Sequence, residues 1–253
     1  MDKSKIAAQL YTLRDFLKTP ADVASAMKKV KEIGFEAVQV SGMGPIEESE
    51  LNKILDGEGL VCCATHEPGK AIFEETDKVI ERLNKLNCKY TAYPFPHIAP
   101  ESEEAFIEIA KGLNGAGKKM SEAGQVLTYH NHGVEFQRFG KRTGLDIIYD
   151  ETNPVYLQGE IDTYWVQFGG GCPVEWCKKL KNRLPLLHLK EYGMVGNEVK
   201  MLEIGSGNLN WKEIVKAAED AGTEWFIIEQ DVCRIDPFDS LKMSFDYLVN
   251  EVQ

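Results

Sequence analysis

The sequence predicts an α/β protein whose fold is a closed (β/α)8 barrel, the TIM-barrel architecture. A short apolar run, a polar loop and a helical stretch alternate eight times along the 253 residues. Parallel strands need a crossover of this kind to return in the same direction. Eight such pairs in about 250 residues match a closed barrel in number and length. An open, doubly wound sheet is the alternative, but no glycine-rich phosphate loop follows the first strand, where the chain reads QLYTLRD.

Eight apolar runs predict the strands of this barrel. They cover residues 6–11, 35–40, 60–65, 89–93, 125–130, 155–161, 185–189 and 225–230. No stretch of linker composition separates one strand–helix pair from the next, so we expect a single barrel domain over residues 1–253.

The helices between the strands carry their own start and stop signals. In the first helix Thr19 is the N-cap, Pro20 stands at the first helical position and Gly34 follows the last turn. Ser102 and Asn210 are caps of the same kind for two later helices. The predicted helices cover residues 20–33, 49–59, 73–86, 103–124, 144–151, 174–182, 211–222 and 238–251.

Charge and composition exclude several classes of partner. A formal net charge of −11 argues against binding nucleic acid through a general basic field. The six cysteines are scattered, and we expect buried free thiols in a reducing compartment. No apolar run of about 18 residues and no hydrophobic N-terminal signal occurs, so we expect a soluble, cytoplasmic protein without a membrane partner. A chain whose export signal had been removed would have the same sequence.

Polar side chains concentrate where the predicted strands end, the face that carries the chemistry in this fold. All five histidines fall there: His66, His97, His130, His132 and His188. Asp162, His188 and Glu229 follow three successive strands. One imidazole and two carboxylates form a site for a divalent ion such as Mn²⁺, Mg²⁺, Co²⁺ or Zn²⁺. The alternative is that these residues pair with Lys190 and Arg234 at the rim.

The motifs QLYTLRD, YHNHGVEF, IDTYWV, HLKE, EIGSGNLNW and IEQD occur in this order. They resemble the motif set of the sugar phosphate isomerase/epimerase family, which are xylose isomerase-like TIM barrels related to family-2 apurinic endonucleases and inosose dehydratases. The resemblance implies one divalent metal ion, most often Mn²⁺. It assigns Asp162, His188 and Glu229 as ligands, with a fourth ligand after the fifth strand.

The fifth strand departs from the family pattern. Many relatives end it with LENHG, in which the glutamate is both ligand and base, whereas this chain reads TYHNHG and has His130 at that position. Glu135, five residues later, is the other candidate for the fourth ligand, and the choice stays open here. HLKE also replaces the commoner HLKD, and Gln39 stands where relatives often have glutamate.

The resemblance implies a metal-dependent isomerase or epimerase that acts on a sugar or sugar derivative through an enediolate. Its catalytic candidates are Glu229, His130, Glu135 and Lys190. A lyase or dehydratase that performs β-elimination on a keto-sugar is the alternative, with His130 or His132 as the acid. A barrel that binds a sugar without catalysis is the third. The candidate substrate contacts are Gln9, Tyr11, His66, His132, Asn131 and Trp165.

Two further expectations concern partners and the segment EIGSGNLNW. Its Gly205 and Gly207 amides either bind phosphate or form a plain turn capped by Asn210. DNA repair is the disfavoured rival, because a trinuclear zinc site needs more histidines than five and DNA would meet a surface of charge −11. The partner is therefore a small sugar-like molecule, and a homo-oligomer is compatible with the resemblance.

Overall fold

The computed structural model describes residues 1–252 and contains a closed barrel of eight parallel strands. The barrel strands are Ile6–Gln9, Ala37–Val40, Val61–His66, Tyr90–Tyr93, Val126–His130, Leu157–Asp162, Leu186–Leu189 and Trp225–Ile228. Each strand pairs with its neighbours in chain order, and the eighth closes on the first, where Phe226 lies opposite Ile6. The predicted (β/α)8 barrel is confirmed, and the open-sheet alternative is wrong.

Helices cover the outside of the barrel close to their predicted positions. They are Pro20–Ile33, Glu48–Glu58, Gly69–Glu74, Thr76–Lys85, Glu103–Glu122, Gly144–Asp150, Thr163–Phe168, Pro173–Lys179, Trp211–Ala221 and Pro237–Tyr247. Thr19 caps the first through a capping box with Asp22, and Gly34 ends it at a φ of 121°. The helix predicted over 73–86 is two helices, because Glu75 leaves the helical conformation at φ −128° and ψ 33°.

Three features of the loops were not predicted. The first strand is shorter than expected, since the chain turns into the 3-10 helix Leu10–Phe16. The helix Thr163–Phe168 begins directly at the end of the sixth strand. Two antiparallel ribbons lie outside the barrel, one formed by Arg138–Phe139 and Arg142–Thr143 and the other by Glu191–Val195 and Glu198–Leu202.

Side-chain alternation along the strands separates an apolar layer from a polar layer. Ala7, Ala37, Leu186 and Ile227 belong to one buried apolar cluster, apart from the large core under the helices. Successive side chains of a strand point to opposite faces, so residues two positions further on face the same side. Those residues are Gln9, Gln39, His188 and Glu229. The polar residues therefore lie next to the apolar cluster, toward the carboxyl end.

A buried carboxylate organises the loop after the seventh strand. Glu191 is 1% exposed and accepts hydrogen bonds from the amides of Tyr192, Gly205 and Leu209 and from Nε1 of Trp211, the last at 2.5 Å. A Cβ atom on Gly207 would lie 2.6 Å from this carboxylate. The Gly205 amide is therefore bonded to Glu191, and Asn210 accepts from the amide of Glu213 at the start of the following helix, which is the capped turn of the second alternative.

Two observations bear on the expectations about membranes and cysteines. Over residues 1–252, no helix is long and apolar enough to cross a bilayer. The six cysteines are free, and four of them are buried: Cys62, Cys63, Cys88 and Cys177.

Replacing Glu191 by Gln should lower the free energy of unfolding by about 2–4 kcal/mol, because an amide cannot accept all four hydrogen bonds and loses the charge that strengthens them. Urea unfolding followed by circular dichroism measures this. Glu198→Gln is the control, since Glu198 is an exposed residue of the same ribbon that forms a surface salt bridge with Lys200. Equal stability of the two variants would contradict the role given to Glu191.

Candidate metal centre

Four side chains from the last four barrel strands converge at the carboxyl end of the barrel. His130, Asp162, His188 and Glu229 are buried, and each offers a ligand atom within 4.8 Å of the others. His188 Nδ1 lies 2.9 Å from Glu229 Oε2, and His130 Nε2 lies 3.8 Å from Asp162 Oδ2. Ligand atoms around one divalent ion, with bonds of roughly 2.0–2.2 Å, are separated by roughly 3–4 Å. The group therefore fits the single ion that the family resemblance implies.

A second group of ligand atoms shares two of these histidines. It consists of His66, His130, Glu160 and His188, again within 4.8 Å of one another. Glu160 is fully buried, lies 2.8 Å from His66 Nε2 and accepts a hydrogen bond from Gln39 Nε2 at 2.5 Å. Glu160 was not among the predicted site residues. The signal was present, because Glu160 precedes Asp162 by two positions on one strand and so shares its face.

Lys190 is a buried cation beside the first group. Its Nζ lies 3.1 Å from Asp162, 2.9 Å from Glu229 and 2.9 Å from Asp231. Burial alone would lower its pKa, but these carboxylates outweigh burial and raise it. The ion pairing proposed as the alternative is therefore real for Lys190. One ammonium facing three carboxylates still leaves negative charge for a second cation.

The electrostatics favour a cation between His188 and its acidic neighbours. Burial would lower the pKa of His188, but Glu160 and Glu229 outweigh it and raise the pKa to about 10. Burial likewise opposes ionisation of Glu160, yet His188 and His66 hold its pKa at about 2. Without a metal ion, His188 therefore carries a proton on both ring nitrogens near neutral pH: one on Nε2, donated to Gln39 Oε1, and one on Nδ1, which faces Glu229. Metal ligands bind in the deprotonated form, so an ion would take the place of the Nδ1 proton.

A cavity of about 670 Å³ opens above the two groups. Four of the six predicted substrate contacts line it: Tyr11, His66, His132 and Trp165. Gln9 and Asn131 do not. Gln9 donates to Gln39, and Asn131 accepts from the amide of Asp162. Arg14 and Phe95 also line the cavity and were not among the predicted site residues.

The profile of the xylose isomerase-like TIM barrel family matches residues 27–248. The chain belongs to this family. It is 27% identical to an inosose dehydratase of Geobacillus thermodenitrificans over 85% of each chain. Among solved structures it resembles a sugar phosphate isomerase/epimerase of Parabacteroides distasonis, with 22% identity, a TM-score of 0.82 and coverage of 98% and 94% of the two chains. The probable 3-DHS dehydratase of Bacillus anthracis gives 17% identity, a TM-score of 0.73 and coverage of 98% and 99%.

In this xylose isomerase-like barrel, the two candidates for the fourth ligand lie in different places. His130 belongs to both groups of candidate metal ligands (called the metal groups below), whereas Glu135 belongs to neither. The Glu135 carboxylate is fully buried and accepts from the Tyr129 hydroxyl at 3.0 Å and from the amide of His132 at 2.8 Å. Glu135 thus supports the loop after the fifth strand and does not reach the predicted metal site.

His132 has a different electrostatic character from His188. Burial and the nearby Lys190 lower its pKa to about 3, so its ring is neutral near pH 7. Its Nδ1 is buried without a hydrogen-bond partner in the described chain. A neutral imidazole with so low a pKa suits a hydrogen bond to a substrate hydroxyl, but it is a poor acid and a poor base.

Metal analysis of protein purified without chelator should find about one Mn, Co, Zn or similar ion per chain. Plasma mass spectrometry measures this content. Asp162→Ala should lose bound Mn, because the first group keeps only one carboxylate, and Asp15→Ala should retain it, since Asp15 is 79% exposed. Wild-type protein without a stoichiometric ion, even after reconstitution with Mn²⁺ or Co²⁺, would rule out the metal centre.

The pH dependence of the free energy of unfolding should report on the buried Glu135. Burial raises the pKa of Glu135 from 4.5 to about 7. The folded chain binds this proton more tightly than the unfolded one, so its stabilisation is complete below pH 4.5 and is lost as pH rises through 7. Between pH 4.5 and 8, the free energy of unfolding of the wild type should therefore fall by about 3 kcal/mol relative to that of Glu135→Gln, because one pKa unit corresponds to about 1.4 kcal/mol.

Urea unfolding at several pH values measures this difference. The exposed Glu122→Gln is the control, and it should follow the pH dependence of the wild type. Parallel curves for Glu135→Gln and wild type would show that Glu135 is ionised in the fold.

Proposed function

We propose that this chain is a metal-dependent lyase that performs a β-elimination on a keto-sugar or a related cyclic polyol ketone. One observation carries the proposal. Among residues 1–252, Glu229 is the one carboxylate that both belongs to a metal group and lines the cavity. The fifth strand, where relatives place a second such carboxylate, presents His130. A site with one carboxylate base favours elimination over a reaction that needs a base on each face of the substrate.

The metal ion would be held by His130, Asp162, His188 and Glu229, and it would acidify the C–H bond beside the substrate carbonyl and stabilise the developing negative charge. Glu229 takes this proton, and the electrons of the C–H bond move to the carbonyl oxygen. The electrons then return, the bond from the β-carbon to its oxygen breaks, and the departing oxygen takes the proton back from Glu229. The products are an unsaturated ketone and water or an alcohol.

Other residues of the cavity bind and orient the substrate. Trp165 lies along one wall with its ring 5.7 Å from Lys190 Nζ, and Phe95 contacts the ring of His132. Trp165 Nε1 is buried without a partner in the described chain, as is His132 Nδ1. The two polar atoms can form hydrogen bonds with sugar hydroxyl groups, and the aromatic rings beside them can pack against the C–H groups of the sugar ring.

The similarity to an inosose dehydratase over 85% of the chain supports elimination from a cyclic ketone. Isomerisation or epimerisation, which the motif resemblance implies, is the second candidate. It shares the first proton removal and needs a second group to return a proton on another face. The similarity of the fold to that of a sugar phosphate isomerase/epimerase of Parabacteroides distasonis supports this candidate.

The Mn²⁺-loaded protein, mixed with keto-inositols and ketohexoses in D2O, should form an unsaturated ketone, seen as a rise in ultraviolet absorbance and a loss of the α-proton signal by NMR. Glu229→Gln should lower kcat by about 10²–10⁴-fold, since an amide cannot accept the proton. His97→Gln is the control, because His97 is exposed and bonds to Tyr93 away from both metal groups.

The three functions give different results in this experiment. Deuterium incorporation with inversion but without loss of a leaving group would replace the lyase by an epimerase. If the protein binds one ion but neither exchanges the α-proton of these ketones nor eliminates a leaving group from them, the non-catalytic sugar-binding barrel is the function that remains.

A further inference from the structure

The two histidines shared by the metal groups turn opposite nitrogens toward them. His130 places Nδ1 3.6 Å from Glu160 Oε2 and Nε2 3.8 Å from Asp162 Oδ2. His188 places Nδ1 2.9 Å from Glu229 Oε2 and Nε2 3.3 Å from Glu160 Oε1, and the same Nε2 lies 2.6 Å from Gln39 Oε1. The two groups therefore lie on opposite edges of the same two imidazole rings.

We propose that His66, His130, Glu160 and His188 form a second cation position that excludes occupation of the first. A neutral imidazole carries a lone pair on one nitrogen and a proton on the other. Each shared histidine can therefore bind an ion in one position only, and it then points an N–H group toward the other. Filling both positions would require two imidazolate rings, so the chain binds one ion at a time.

An orphaned nitrogen supports the second position independently. His130 is 2% exposed, and its Nδ1, which faces Glu160, has no hydrogen-bond partner in the described part of the chain. Over residues 1–252, Glu160 also has no lysine or arginine partner; its ionic contacts are all to histidines. Asp162 and Glu229, in contrast, both contact Lys190. A cation at Glu160 therefore meets no competing ammonium group.

The ligand sets differ in the ions that they favour. Three imidazoles and one carboxylate suit Zn²⁺ and similar borderline ions, whereas the additional carboxylate of the first group suits Mn²⁺ and Mg²⁺ better. This inference rests on the proposed function only in taking the first group as the one used in catalysis. Zn²⁺ in the second position would hold both shared histidines and lie away from Glu229. Zinc would thus displace Mn²⁺ from the first position without occupying it.

The test compares two carboxylate-to-amide changes two residues apart on the same strand, Glu160→Gln and Asp162→Asn. Dissociation constants for Zn²⁺ and Mn²⁺ are measured by competition with a chromophoric chelator. Glu160→Gln should weaken Zn²⁺ binding by about tenfold or more and leave Mn²⁺ binding little changed. Asp162→Asn should do the reverse. The visible absorption of bound Co²⁺ should differ between the two variants, since each retains a different ligand set.

Two results would overturn the second position. Parallel weakening of both ions in both variants would mean a single position, with Glu160 only orienting its histidines. Two zinc ions per chain at saturation would mean that the positions are not exclusive. His66→Asn repeats the zinc measurement if Glu160→Gln does not fold, because His66 lies at the cavity and belongs to the second group alone. Mn²⁺ binding that survives Asp162→Asn counts against the proposed function, whereas the zinc measurements decide the second position.

Discussion

Negative charge buried at the carboxyl end of the barrel is the constraint on which the rest of the structure depends. Glu160, Asp162 and Glu229 are at most 5% exposed. A carboxylate withdrawn from water costs several kcal/mol unless nearby charges and hydrogen bonds compensate. Lys190 and protonated His188 supply positive charge here. The barrel therefore already holds cations where the proposed metal ion would bind.

This constraint explains the layering inside the barrel. Small or aliphatic side chains such as Ala7, Ala37 and Ile227 form an apolar layer inside the barrel, which is the floor of the site. The polar residues two positions further along the strands pack directly against this layer. Water is thereby kept from one side of the carboxylates, which strengthens their attraction for any cation that enters from the cavity. The floor also prevents the ligands from relaxing inward, so their spacing is set by the strands.

Sequence reasoning recovered the barrel because each strand–helix pair carries local signals, such as the cap at Thr19. It placed Asp162, His188 and Glu229 together because the carboxyl ends of barrel strands share one mouth. It could not decide between His130 and Glu135, since the fold of the loop after the fifth strand turns Glu135 back toward the amide of His132. The ribbon after Lys190 was missed although Gly196, at a φ of 61°, begins a two-residue hairpin turn.

Asp162 joins two structural roles in one side chain. Its Oδ2 faces the metal group, while its Oδ1 accepts from the amide of Trp165 and begins the helix Thr163–Phe168. Only a short acceptor side chain can do both, so evolution has little freedom at this position. Within residues 1–252, the His130 side chain forms no hydrogen bond to a backbone group, so an exchange of imidazole for carboxylate at this position should leave the loop undisturbed. New metal preferences and new reactions in this barrel should therefore arise by change at the fifth strand, while the sixth keeps its aspartate.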